Sequence, residues 1–131
     1  MKSVTGGVCA AKGFTANGIH CGIRKNHTKK DLSLIFSAVP ASAAAVYTTN
    51  LVKGAPLIVT KNHLQDGIAQ AVICNSGNAN TCNANGIEIA ESMSALTANA
   101  LGVTPDDIIV ASTGVIGQPL SLDPIESGMP A

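Results

Sequence analysis

Two long stretches of this chain, residues 32–52 and 67–87, carry no charged side chain, and each is long enough to cross a bilayer. Neither is built for lipid. The first holds Pro40 and Asn50 among Ser and Thr, and the second holds Asn75, Asn78, Asn80, Asn83 and Asn85, whose amides would cost several kcal/mol to desolvate. Both stretches are therefore expected inside a globular core. With 131 residues and 46% hydrophobic content the chain is large enough for one such core, and residues 1–131 read as a single region with no internal boundary.

The charges that remain are unevenly placed. Residues 1–65 carry all eight basic side chains and one acid, Asp31, a net of +7, whereas residues 66–131 carry seven acids and no base, a net of −7. These charges either solvate two faces of one fold or form opposite-sign walls of a cleft or interface. The zero total removes the basic excess that nucleic-acid binding draws on, and three aromatic residues, Phe14, Phe36 and Tyr47, leave little for base stacking. Residues 1–9 have one Lys and no continuous apolar run, so they do not read as a secretory signal, and a cytoplasmic location is expected.

Cys9, Cys21, Cys74 and Cys82 form no C-x-x-C pair, and His20, His27 and His63 stand at no zinc spacing from them; small buried thiols and no metal are expected. Cys21, close to Arg24 and Lys25, is the one candidate for a reactive thiol. His20 adjoins it, but strand neighbours face opposite ways, so a catalytic triad has no support. Walker A and G-x-G-x-x-G patterns are absent.

Alternation predicts a strand over residues 19–23 after a turn at Asn17-Gly18, a loop over 24–30, a second strand over 31–37 and, beyond a turn at Pro40, a third over 43–48. Residues 56–60 read as a short apolar strand and 62–65 as a helical turn ended by Gly67. The run 69–74 reads as a buried strand leading into an asparagine-rich loop, 75–86. Ile89, Met93, Leu96 and Ala100 mark one helical stripe that Gly102 stops. Residues 108–111 form another strand, and a last helix starts at Asp123 as N-cap, with Pro124 first and Glu126 in the capping position. That helix barely begins before Ala131, which suggests a truncated or processed polypeptide.

Chemistry collects where polar, glycine-rich loops follow apolar strands. The asparagine loop after Cys74 can hold itself together through its own amides or hold a polar ligand. In the run 112–117, Ser-Thr-Gly-Val-Ile-Gly, a hydroxyl and a backbone N–H can converge on one point, the arrangement that stabilises an oxyanion in acyl transfer, although S-T-G is also an ordinary turn. The residues thus offer an electrostatic stabiliser without a nucleophile.

Gly13-Phe14 with Asn17-Gly18-Ile19, Gly22-Ile23 before a basic loop and Asp31-Leu32, Val46-Tyr47-Thr48-Thr49-Asn50 with Ala55-Pro56, Asn75-Ser76-Gly77-Asn78-Ala79-Asn80 and Ser112-Thr113-Gly114-Val115-Ile116-Gly117 occur in that order. In this series the chain, from about Val8 onward, resembles the ornithine acetyltransferase family, the bifunctional glutamate N-acetyltransferases and amino-acid acetyltransferases of arginine biosynthesis. Arg24, Tyr47 and Gly54 stand where that family commonly has Lys, Phe and Ala. The resemblance implies an α/β fold of mixed sheets layered with helices, an α/β sandwich of which this chain is an incomplete part, the N-terminal or α-chain region.

It also implies a ping-pong transfer of acetyl from N-acetylornithine to a threonine and then to glutamate. Thr113 through its hydroxyl and Gly114 through its backbone N–H would form the oxyanion hole. The nucleophilic threonine opens the second chain after self-cleavage and has no counterpart before Ala131. No cofactor or metal is implied, with acetyl-CoA possible as co-substrate. The implied partner is the β chain of the same precursor in a hetero-oligomer, with no nucleic acid and no membrane. A cleft with both signs would suit a cationic ornithine and an anionic glutamate, with Lys53 and Asp106 as candidates to line it. A related self-processing amidase or aminopeptidase, and a non-catalytic assembly module of the same fold, are the alternatives.

Overall fold

The computed structural model describes residues 3–130; Met1, Lys2 and the expected truncation point, Ala131, lie outside the described residues. Four strands form one sheet in the order β1 (Phe14–Ile19), β2 (Leu32–Ser42), β3 (Ile68–Asn78), β4 (Ile108–Val115). The first three run antiparallel to their neighbours, and β4 lies parallel to β3. The sheet is therefore mixed, as expected. Helices α1 (Ala55–His63), α2 (Gly86–Leu101) and α3 (Asp123–Gly128) complete the architecture.

One face of the sheet is the core. Leu32, Ala71, Ile73, Ile108 and Val110 alternate inward and cluster with Val59 of α1, Ile89, Ala90 and Met93 of α2, and Ile125 of α3. The α2 stripe is broader and more polar than hydrophobic periodicity indicates. Ser94 and Thr97 are fully buried, Leu96 is half-buried and Ala100 exposed. The two hydroxyls can be buried because Ser94 donates to Pro105 O at 3.1 Å and Thr97 to Met93 O at 2.8 Å. Gly102, left-handed at φ 70°, ends the helix as expected.

The opposite face carries Phe14, Ile35, Val72 and Ile109, which line a groove of about 160 Å3, and none of them is buried. No helix of the described residues is long and apolar enough to cross a membrane.

Several expected boundaries move. Asn17 and Gly18 are not a turn: they pair with Leu34 and Ser33 inside β1, which ends at Ile19, where a strand was expected to begin. Pro40 does not separate two strands. β2 runs through it, and its pairing with β3 shifts between Phe36 and Ala41, so the missing N–H falls in an irregular stretch, while 43–50 is not strand. Residues 56–60 belong to α1, with Pro56 in its first turn and Lys61 and His63 in its last. α3 starts with Asp123 inside the helix and Leu122 at the N-cap, without a side-chain cap, so the expected reciprocal box is absent.

Helix α1 lies along the free edge of β4. The Thr60 hydroxyl accepts from Val110 N and donates to Val110 O, both at 3.0 Å, and His63 Nδ1 lies 2.9 Å from Ile108 O. Side chains of a helix thus take the hydrogen bonds that a fifth strand would have supplied.

Candidate functional site

Strands β3 and β4 end together. Asn75, Ser76, Gly77 and Asn78 lie in register with Ser112, Thr113, Gly114 and Val115, so the asparagine segment and the S-T-G segment, which the sequence places far apart, are one structure. β3 itself reaches Asn78, taking in the first four residues of the expected loop. Gly77 and Gly114 both have positive φ, 123° and 132°. A Cβ on Gly114 would stand 2.3 Å from the carbonyl carbon of Gly77 and 2.6 Å from Asn78 N, so only glycine closes this pair.

The asparagines are bonded to protein. Asn75 Nδ2 donates to Asn78 O at 2.9 Å, Asn78 Nδ2 to Gln118 O at 3.0 Å, and Asn80 Nδ2 to Gly86 O at 2.8 Å, while Asn78 Oδ1 accepts from Asn80 N and Asn80 Oδ1 from Asn83 Nδ2. Asn80 and Cys82 sit in the left-handed region, which this network holds. The segment thus acts as a clamp that ties the end of β3 to the start of α2 and to residues 118–119. At these strand ends the buried Asn75 Oδ1 and Ser112 Oγ are unpartnered, at matching register positions.

Thr113 and Gly114 are exposed. By alternation Thr113 points to the face away from the core, beside Ser76, to whose Oγ its hydroxyl donates at 3.3 Å. Ser76 Oγ also accepts from Arg24 Nη2. Gly114 lines a cleft of about 500 Å3 with Ile23, Arg24, Lys25, Asn26, Gly77 and Val115.

Arg24 is brought there by Asp31. The carboxylate, 2% exposed, accepts from Cys21 N at 2.7 Å and Arg24 N at 2.8 Å, and its Oδ2 lies 3.0 Å from His20 Nδ1. Burial alone would raise this carboxyl's pKa, but the two N–H donors outweigh it and hold the value below the ordinary 3.8. His20 Nε2 in turn meets His27 Nδ1 at 3.0 Å. An acid, Asp31, stands behind His20, but the ring addresses another imidazole and no nucleophile. Arg24, Ser76 and Asp31 carry no sequence signal for this cluster; sheet register alone assembles it.

The cysteines differ from expectation. Cys9 and Cys82 are exposed and Cys21 and Cys74 half-buried, all four free. Cys21 is not activated by Arg24 and Lys25: burial, and then the Asp31 carboxylate, push its thiol up to about 11. Burial also raises Cys74. Among the described residues no group of three or more His, Cys, Asp or Glu side chains is placed to hold a metal.

The opposite-sign walls do not face one another within this chain. Glu91, Asp66 and Asp106 line a pocket with His63 at the start of β4, whereas Arg24 and Lys25 flank its end, about 20 Å further along the strand. Lys53 precedes α1, whose Ala55 N–H bonds to Asn80 O, so it belongs to the Gly114 end and Asp106 to the other. Each of the described ion pairs involves a histidine.

The fold and this strand-end site define an α/β domain, a mixed four-stranded sheet with its helices packed on the core face and paired glycines at the parallel strand ends. The ArgJ family model matches residues 15–131. The chain is 48% identical over its whole length to the arginine biosynthesis bifunctional protein ArgJ of Symbiobacterium thermophilum, covering 33% of that protein. It is 44% identical to the protein of the same name from Caldanaerobacter subterraneus, covering 32% of it.

Two crystal structures are similar. ArgJ of Bacillus halodurans superposes with a TM-score of 0.86 at 45% identity, over 92% of this chain and 63% of that one. Ornithine acetyltransferase of Mycobacterium tuberculosis complexed with ornithine superposes with a TM-score of 0.85 at 36% identity, over 92% and 65%. This chain belongs to the ArgJ family. It spans about a third of the length of the curated relatives it matches, as their N-terminal part.

Proposed function

We propose that this chain is the oxyanion-stabilising part of an acetyltransferase of arginine biosynthesis. Acetyl passes from N-acetylornithine to a threonine supplied by the remaining polypeptide, the β chain, and then to glutamate, with acetyl-CoA as a possible second donor and the cytoplasm as the site of action. Each half-reaction passes through a tetrahedral oxyanion. Preorganised donors aimed at that oxygen lower the barrier because they need no reorganisation as charge develops.

One observation carries the reading. Thr113 and Gly114 stand exposed at the end of a rigid parallel strand pair, on a stretch where paired glycines admit no Cβ. Two comparisons support it, the family membership and the similarity to an ornithine acetyltransferase whose crystal structure holds ornithine. The uncovered sheet face beside Thr113 leaves room for a β chain to present its nucleophile.

In the complete protein, Thr113→Ala is expected to lower kcat for transfer from N-acetylornithine to glutamate by about 10² to 10³. A kcat near wild type would remove Thr113 from the reaction.

A further inference from the structure

Thr113 Oγ1 lies 3.3 Å from Ser76 Oγ, and a Thr113 proton given to Ser76 is one turned away from any substrate. Ser76 Oγ meanwhile receives hydrogen bonds from both Thr113 and Arg24, which leaves its own O–H unassigned. We propose that Arg24 and Ser76 are positioning residues for the oxyanion hole. Arg24 fixes Ser76, and Ser76 reverses its hydroxyl to donate to Thr113 Oγ1 when Thr113 turns its own proton to the oxyanion. The inference rests on the reading of Thr113 given above.

Hydrogen bonds balance in both states. At rest Arg24 N–H and Thr113 O–H both point to Ser76 Oγ. With the oxyanion present Arg24 N–H still points to Ser76, Ser76 O–H points to Thr113, and Thr113 O–H points to the substrate oxygen. No proton leaves its residue; two hydroxyls rotate. The guanidinium at the far end keeps its charge throughout and polarises both hydroxyls in the direction that strengthens the terminal donor.

Three contacts place Arg24 for this. Its backbone N–H is held by the buried Asp31 carboxylate. Ser76 N–H donates to Asp31 O at 2.8 Å, so the same residue fixes both ends of the contact. The arginine stem packs over Gly77, where a Cβ would come within 2.9 Å of Arg24 Cγ. Among the described residues Arg24 is the one cation whose hydrogen bond to Ser76 is seen, while His20 is engaged by Asp31, Lys29 O and His27.

The test uses the complete enzyme and measures kcat and KM for N-acetylornithine. Ser76→Ala, and Arg24→Met, which keeps the stem over Gly77, are each expected to lower kcat about tenfold, the value of one lost charge-assisted hydrogen bond, with KM within twofold. Arg24→Lys keeps the charge and is expected to stay within about threefold of wild type. In a Thr113→Ala background neither Ser76→Ala nor Arg24→Met should lower kcat further, because the chain ends on the missing hydroxyl.

Full additivity in that background would overturn the relay and assign the loss to folding. Wild-type kcat in Ser76→Ala with an impaired Thr113→Ala would overturn the relay while leaving the oxyanion reading intact. Unimpaired Thr113→Ala would overturn both.

Discussion

Asp31 is the residue on which the basic loop hangs, since its two oxygens take the N–H groups of Cys21 and Arg24. Because its native pKa lies below the ordinary 3.8, the stability it contributes is present above that value and is lost as pH falls through the native pKa. Unfolding free energy, followed by urea titration at a series of pH values, is therefore expected to drop below about pH 4. Asp31→Asn should flatten that drop and cost about 2 kcal/mol at neutral pH, where the charge-assisted bonds are lost. An unchanged acid limb in the variant would show that other carboxylates dominate it. None of this was legible in the sequence. Asp31 reads there as the first residue of a strand, and only the pairing of β1 with β2 turns it toward His20 and Cys21. The place of Thr113 and Gly114 at the end of a β-branched run was legible, because that needs no long-range information, whereas an oxyanion role for them comes only from the family resemblance.

Helix α1 shows where element reading fails and what the structure gains from it. Residues 56–60 read as a strand because Leu57, Ile58 and Val59 are apolar in succession, yet Leu57 and Ile58 are exposed and only Val59 is fully buried. The overlooked signals were Pro56 in the first turn and Lys61 and His63 in the last. As a helix, the segment can offer Thr60 to the edge of β4, which a strand's side chains, perpendicular to the sheet, could not do. Thr60→Val keeps the shape and strands a buried N–H and C=O of Val110. A loss of about 1 to 3 kcal/mol in denaturant unfolding is expected, and a loss below half of that would mean that the backbone groups find another partner. The runs 69–74 and 108–111 were readable for the opposite reason, since both are central to the core and their pattern is set by burial.

At the scale of the molecule, the sheet is finished on one side only. Ile109 and Val72 stand on the open face, half-buried at most, in a chain whose relatives are about three times as long. If the remaining polypeptide covers this face, as the proposed function requires, Ile109→Lys should cost the complete protein about 3 kcal/mol or more, since a buried unpaired cation has no compensation. On an uncovered sheet the same change should fall within about 0.5 kcal/mol, so the denaturation midpoint of the complete protein separates the two cases. The charge split belongs to this scale too: it labels the two ends of β4 with opposite signs, where the sequence left open either two solvated faces or two walls of one cleft.

The bare face also has a temporal side. In the relatives, the part similar to this chain leaves the ribosome first, and the other two-thirds follow at about 5 to 20 residues per second. For an interval on the order of tens of seconds, a nascent sheet of this kind would stand with Phe14, Ile35, Val72 and Ile109 turned to water. That interval is when a chaperone at the exit tunnel would have an apolar surface to hold, and when two neighbouring nascent chains on one message could adhere through it.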